Sequence, residues 1–147
     1  MKKTFQIRDL ELIEKELSEN FVGVLAATLK NEKVVQTATT FLYLDKNIYV
    51  FFNNESEIYE DINLDVNGSF IILKNETLND QAALNKFRLM SISISGAVKK
   101  VEEVKLLDEI KKNYARKYPG DNENLLSLNK ALIIDTDEIL AFDEQAE

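Results

Sequence analysis

The sequence predicts a mainly β domain, a closed or partly split barrel of short antiparallel strands with helices at its ends. Three observations carry this. The β-rich segments 21–29, 34–44 and 48–52 are joined by tight polar turns at 30–33 and 45–47, and read as an antiparallel meander. A long strand over 87–101 alternates Ile92 and Ile94 with Ser91, Ser93 and Ser95, so one face is apolar and the other carries hydroxyls. Helical spacing is confined to a few stretches.

In chain order, a helix spans 10–18, with Asp9 as its cap and Leu10, Ile13 and Leu17 recurring on one face. The three strands follow. Ile58, Tyr59 and Ile62 place a second helix over 56–64, and Gly68 separates it from a fourth strand at 69–74. The polar stretch 75–85 reads as a loop, after which the long strand runs through Gly96. Val104, Leu107, Ile110, Tyr114 and Tyr118 define a third helix, stopped by Pro119-Gly120. Segments 131–134 and 139–142 flank Asp135-Thr136-Asp137 and give one or two closing strands. With one Pro and four Gly there is no hinge or linker, so residues 1–147 form a single domain.

Composition removes whole classes of chemistry. The chain has neither Cys nor His, which excludes disulfides, thiolate or imidazole metal sites, His-ligated haem and Ser-His-Asp catalysis. Eighteen basic against 26 acidic residues give a net charge of −8, which opposes the phosphate attraction behind most nucleic-acid affinity. No nucleic-acid partner is expected. The basic start lacks the apolar stretch of a signal peptide, and no apolar run approaches the roughly 20 residues of a bilayer span, so a soluble cytoplasmic protein without a membrane partner is expected. The glycosylation-like triplets at Asn54, Asn67 and Asn75 carry meaning only in secreted chains. Asn63 to Gly68 imitates the start of a calcium loop, but its twelfth position is Lys74 where a bidentate Glu belongs. No metal site is expected, and the scattered carboxylates form no acid–base pair.

Five segments together resemble the pyridoxamine 5′-phosphate oxidase-like, FMN-binding split-barrel family. They are 22–29, Thr37-Ala38-Thr39-Thr40-Phe41, 47–53 with the following 56–62, 92–98, and the helix ending in Lys117-Tyr118-Pro119. The likeness covers roughly residues 10 to 142, and it lies in the order and spacing of short β patterns. It implies a six-stranded antiparallel split barrel, a homodimer, and FMN in two equivalent clefts at the dimer interface. It also implies that Thr37, Thr39 and Thr40 lie along the isoalloxazine ring, and that Asn53, Asn54 and Ser56 face the ribityl-phosphate end. Where many relatives have Lys or Arg after the serine, this chain has Glu57, Ile58 and Glu60. Ser91 and Ser93 stand where the oxidase proper often has Gln and Arg. Lys86 and Arg88 are the nearest cations in sequence that could compensate. The implied activity is a flavin oxidoreductase with a small-molecule substrate or electron donor, distinct from the true oxidase.

Each of these residues also has a plainer use. The threonines are good strand formers, Ser56 can serve as a helix cap, and Lys86 and Arg88 can be solvated. Tyr43, Tyr49, Phe51 and Phe52 can stack on a flavin or belong to core and interface. The serine ladder can be a small-residue face for close approach of another surface. The alternative function is therefore a noncatalytic split-barrel dimer that binds another small ligand or none.

Overall fold

The computed structural model describes residues 2–80, 83–121 and 128–146, with side chains for 3–75, 88–120 and 128–145. Among these residues the chain is a curled antiparallel sheet, a half-barrel, flanked by three helices. The elements run β1 (Lys2–Ile7), α1 (Leu10–Glu19), β2 (Val22–Thr28), β3 (Val34–Thr40), β4 (Leu42–Leu44), β5 (Asn47–Phe52), α2 (Glu57–Asp61), β6 (Asn67–Asp80), β7 (Ala83–Lys100), α3 (Val104–Lys117) and β8 (Lys130–Ala146). The sheet order is β3-β2-β6-β7-β8-β5-β4, with β1 also paired to β8. The mainly β split-barrel class holds, but the strands number eight rather than six.

The predicted meander is corrected. Strand 34–44 breaks at Phe41, which is fully buried, and whose backbone N–H and carbonyl bond the Tyr118 hydroxyl instead of a neighbouring strand. The chain turns there, so β2–β3 and β4–β5 are separate hairpins on opposite flanks of the sheet. The polarity of 75–85 predicts a loop. Instead β6 continues to Asp80 and β7 begins at Ala83, because each strand satisfies the other's backbone groups whatever its polarity. The two closing segments are one strand. Asp135-Thr136-Asp137 is a bulge in it, with Ser95 opposite Glu138 and Gly96 opposite Thr136. β8 pairs with β7 along one edge, while its other edge takes β5 at 130–134 and β1 at 141–146.

The core lies inside the curl. Ile92, Ile94 and Val98 of β7 are buried there with Phe70 and Ile72 of β6, Ile48 and Val50 of β5, and Leu132 and Ile134 of β8. Asp9 caps α1 as expected, accepting from the N–H groups of Glu11 and Leu12. The helix packs through Ile13 and Leu17, each worth about 1.5–3 kcal/mol of burial, whereas Leu10 stays half-exposed. On the other side of the sheet, α3 covers Leu42, Tyr49 and Ala131 with Ile110 and Tyr114. No helix among the described residues is long and apolar enough to cross a membrane.

Candidate functional site

The end of β5 and the turn into α2 carry Asn53, Asn54 and Ser56. The Asn53 carbonyl accepts from the Ser56 N–H at 2.9 Å, and the Asn54 carboxamide oxygen accepts from the Asn129 N–H at 3.1 Å. Ser56 is the cap of α2, its hydroxyl accepting from the Tyr59 N–H at 3.5 Å. A hydroxyl that accepts one bond still has its own proton to donate. The expected helix over 56–64 is one turn, Glu57–Asp61, too short for a substantial macrodipole. An open recess of about 400 Å³ is lined here by Asn54, Ser56 and Lys130 together with the four acidic residues Glu55, Glu57, Glu60 and Asp61.

The charge of that recess differs from what the local sequence implies. The Glu60 carboxylate lies 3.3 Å from the Lys130 ammonium and 3.6 Å from that of Lys100. The hydrogen bond from Lys130, followed by the charge of Lys100, holds its pKa below the usual carboxylate value. Both lysines also stand over the ring of Tyr59, at 4.8 and 5.5 Å from its centroid. Two ammonium groups thus face the Glu60 carboxylate. Neither lysine is near Ser56 in sequence. The β5–β8 register brings Lys130 opposite Phe52, one residue before Asn53, and Lys100 ends the adjacent β7.

Thr37, Thr39 and Thr40 lie on β3, which among the described residues is an edge strand paired with β2 alone. The Thr39 hydroxyl donates to the Thr40 carbonyl at 3.2 Å, and the Thr40 hydroxyl is hydrogen-bonded to that of Tyr114. Tyr114 is buried, its ring 5.2 Å from that of Phe51 and 4.4 Å from that of Tyr118. One aromatic residue of α3 therefore connects the threonine strand to β5, and with it to the strand that leads into Asn53.

Lys117 completes this corner. Its ammonium donates to the Phe41 carbonyl at 3.1 Å and sits 3.7 Å from the centroid of the Phe41 ring. Burial pushes its pKa down to about 8. The Tyr118 hydroxyl bonds the Phe21 carbonyl at 2.6 Å as well as both backbone groups of Phe41, and burial raises its pKa to about 12. The corner thus holds an amine of lowered pKa against the Phe41 carbonyl and ring.

Arg88 lies elsewhere. It forms a forked pair with Asp143, its closest contact 2.8 Å, near the Glu16–Lys74 ion pair. Twelve residues of β7 separate it from Lys100, roughly 40 Å at about 3.3 Å per residue. Within one chain it does not reach the Ser56 recess. The backbone of Lys86 pairs with Leu78, and its side chain lies outside the described residues. Lys74, which occupies the twelfth position of the calcium-like segment, is engaged by the buried Glu16. Ser91, Ser93 and Ser95 are half-buried on the outer face of the sheet, opposite in direction to Ile92 and Ile94. Of the aromatic candidates, Tyr49 and Phe52 are core, whereas Tyr43 is half-buried and donates to Glu14 at 3.0 Å.

No protein-family model matches the chain, and no curated protein does. Solved structures do. The chain is similar to a protein of Bacteroides thetaiotaomicron assigned as a 5-nitroimidazole antibiotic resistance protein, at 16% identity and a TM-score of 0.77, over 100% of this chain and 93% of that one. It is similar to an FAD-binding protein of Mesorhizobium loti at 14% identity and a TM-score of 0.69, over the whole of both chains. It is also similar to a protein of Corynebacterium glutamicum assigned as a pyridoxamine 5′-phosphate oxidase, at 16% identity and a TM-score of 0.61, over 95% and 92% of the two chains. Heme-binding proteins share the architecture as well. At these identities the likeness establishes the split-barrel fold.

Proposed function

We propose that this protein binds FMN and acts as a flavin oxidoreductase on a small-molecule substrate or electron donor, as a homodimer. The observation that carries the reading is the split-barrel fold itself, with Asn54 and Ser56 opening on a recess in which Lys130 stands among the carboxylates of Glu55, Glu57, Glu60 and Asp61. Flavin-binding proteins among the structural neighbours support it. Heme is the weaker fit, since a chain without His or Cys would leave an iron only Tyr, Lys or Met as ligands.

In this reading Ser56 donates its hydroxyl proton to a phosphate oxygen, and Asn53 and Asn54 hold the ribityl-phosphate end. Thr37 and Thr39 offer hydroxyls and edge-strand backbone groups to the polar side of the ring. Lys117, with its lowered pKa, can hold or release a proton near neutrality beside the same strand. Bound flavin supplies the hydride or electron transfer, while the protein orients it and excludes water. Ser91 and Ser93, in place of larger polar groups, favour a reaction other than oxidation of pyridoxamine phosphate.

Titration of the protein with FMN tests this. Quenching of flavin fluorescence with a midpoint near or below about 10 μM is expected, an affinity of roughly 7 kcal/mol. No quenching at high micromolar FMN overturns the flavin reading and leaves the noncatalytic dimer.

A further inference from the structure

We propose that the Lys117 amine is a site of covalent acylation, taking the acyl group of a small acyl phosphate such as acetyl phosphate. The way this amine is held sets it apart. Lys117 closes α3, whose last turn lies on the break in the sheet at Phe41. Its nitrogen stands 3.7 Å from the centroid of the buried Phe41 ring and 5.5 Å from that of Tyr118, and its one acceptor among the described residues is the Phe41 carbonyl, at 3.1 Å. Lys74, Lys99, Lys100 and Lys130 each pair with a carboxylate. Among the described residues no carboxylate stands within ion-pair distance of Lys117.

A half-buried ammonium without a counter-charge is costly to keep charged, so the corner favours the neutral amine and its pKa falls to about 8. Desolvated lysines of this kind are nucleophiles. The neutral amine keeps one N–H on the Phe41 carbonyl and has a lone pair to attack with. That pair forms a C–N bond to the acyl carbon, the C–O bond to the phosphoryl group breaks, inorganic phosphate leaves with its electrons, and the surplus proton on nitrogen passes to water. No oxidant or reductant is needed. The product is a neutral amide, which removes the uncompensated charge from the Phe41 ring while its N–H can still donate to the carbonyl. Half-burial restricts the reaction to small donors.

At pH 7.5 about a quarter of amines with a pKa near 8 are neutral, against about a thousandth of those at 10.5. Lower basicity makes each neutral amine a weaker nucleophile, as it does a thiolate, and burial slows access, so a net advantage of about tenfold is expected. The folded wild-type chain is treated with acetyl phosphate at pH 7.5 and acetylation is mapped by peptide mass spectrometry, with the exposed Lys30, Lys46 and Lys112 as internal references. Lys117 should react about tenfold faster than these. Its rate should level off above pH 8 while theirs keep rising towards pH 10, and the preference should vanish in urea, where the corner is gone. Reaction no faster than at the references shows that burial protects the amine and overturns the proposal. A preference that survives in urea overturns it as well, because local sequence and not the corner then selects Lys117.

Discussion

Lys117 is the residue whose environment departs furthest from that of an ordinary surface lysine. Its ammonium is half-buried against Phe41, which lowers its pKa from 10.5 to about 8. Below pH 8 both folded and unfolded chains are protonated and the folded state bears the full desolvation cost. Between about 8 and 10.5 the unfolded chain binds the proton that the folded chain has lost, so stability from this group rises with pH. Tyr43 and Tyr118 act oppositely. Their pKa values are raised from 10.0 to about 12, so the folded chain keeps protons the unfolded chain releases, and stability falls between pH 10 and 12. Urea midpoints should therefore climb from pH 8 towards 10 and decline above it. Lys117→Met should flatten the climb while leaving the decline, and a climb of unchanged slope in that variant would refute the assignment. None of this is legible locally: Lys117 follows Arg116 in a charged helix end, and only the packing of α3 on Phe41 sets it apart.

At the scale of elements, the bulge between β7 and β8 is the most constrained point. A Cβ on Gly96 would run into the backbone carbonyl of Asp135, and a sheet backbone cannot move aside as a flexible side chain can. Gly96→Ala should therefore destabilise by more than about 2 kcal/mol. Gly120→Ala is the control. An added Cβ there meets nothing within 4 Å among the described residues, so the change should stay within about 0.5 kcal/mol by chemical denaturation. A mild effect at Gly96 would mean that the two strands separate more readily than their register implies. The same bulge explains why the sequence leaves one or two closing strands open: three polar residues in a row read equally as a turn or a bulge, and nothing local distinguishes them. β1 escaped the sequence reading for a related reason. Phe5 and Ile7 are too few apolar positions for a period, and the strand exists because β8 offers it an open edge.

For the whole molecule, the outer face of the sheet poses the question of what covers it. Leu73 is 54% exposed and Leu140 36%, on either side of the half-buried serines of β7. The register places Leu73 opposite Ser91 and Leu140 opposite Ser93, so apolar and small side chains share one face. In the proposed dimer a second copy covers this face with the same residues on both sides. Light scattering should give twice the chain mass of 16.9 kDa at micromolar concentration. Leu140→Glu should shift the mass towards that of one chain by burying like charges across the two-fold, and should lower FMN affinity with it. A wild-type monomer would remove the dimer and the composite cleft together.

The sequence by itself determined the class of fold, the alternation of β7, the position and cap of α1, the end of α3, and the chemistry that absent Cys and His forbid. Those properties are written in the periodicity of neighbouring residues or in composition, so no distant contact is needed to read them. Tertiary structure alone decided the break at Phe41, the pairing that turned 75–85 into strand, the bulge at Gly96 and the charge of the Ser56 recess. Most of these depend on residues tens of positions apart, and the 75–85 hairpin on cross-strand partners up to fourteen positions away. Glu57 and Glu60 read locally as two carboxylates beside a phosphate position. The register of β5 on β8 adds Lys130, and the end of β7 adds Lys100, because strand pairing brings distant ammonium groups within 4 Å of a carboxylate.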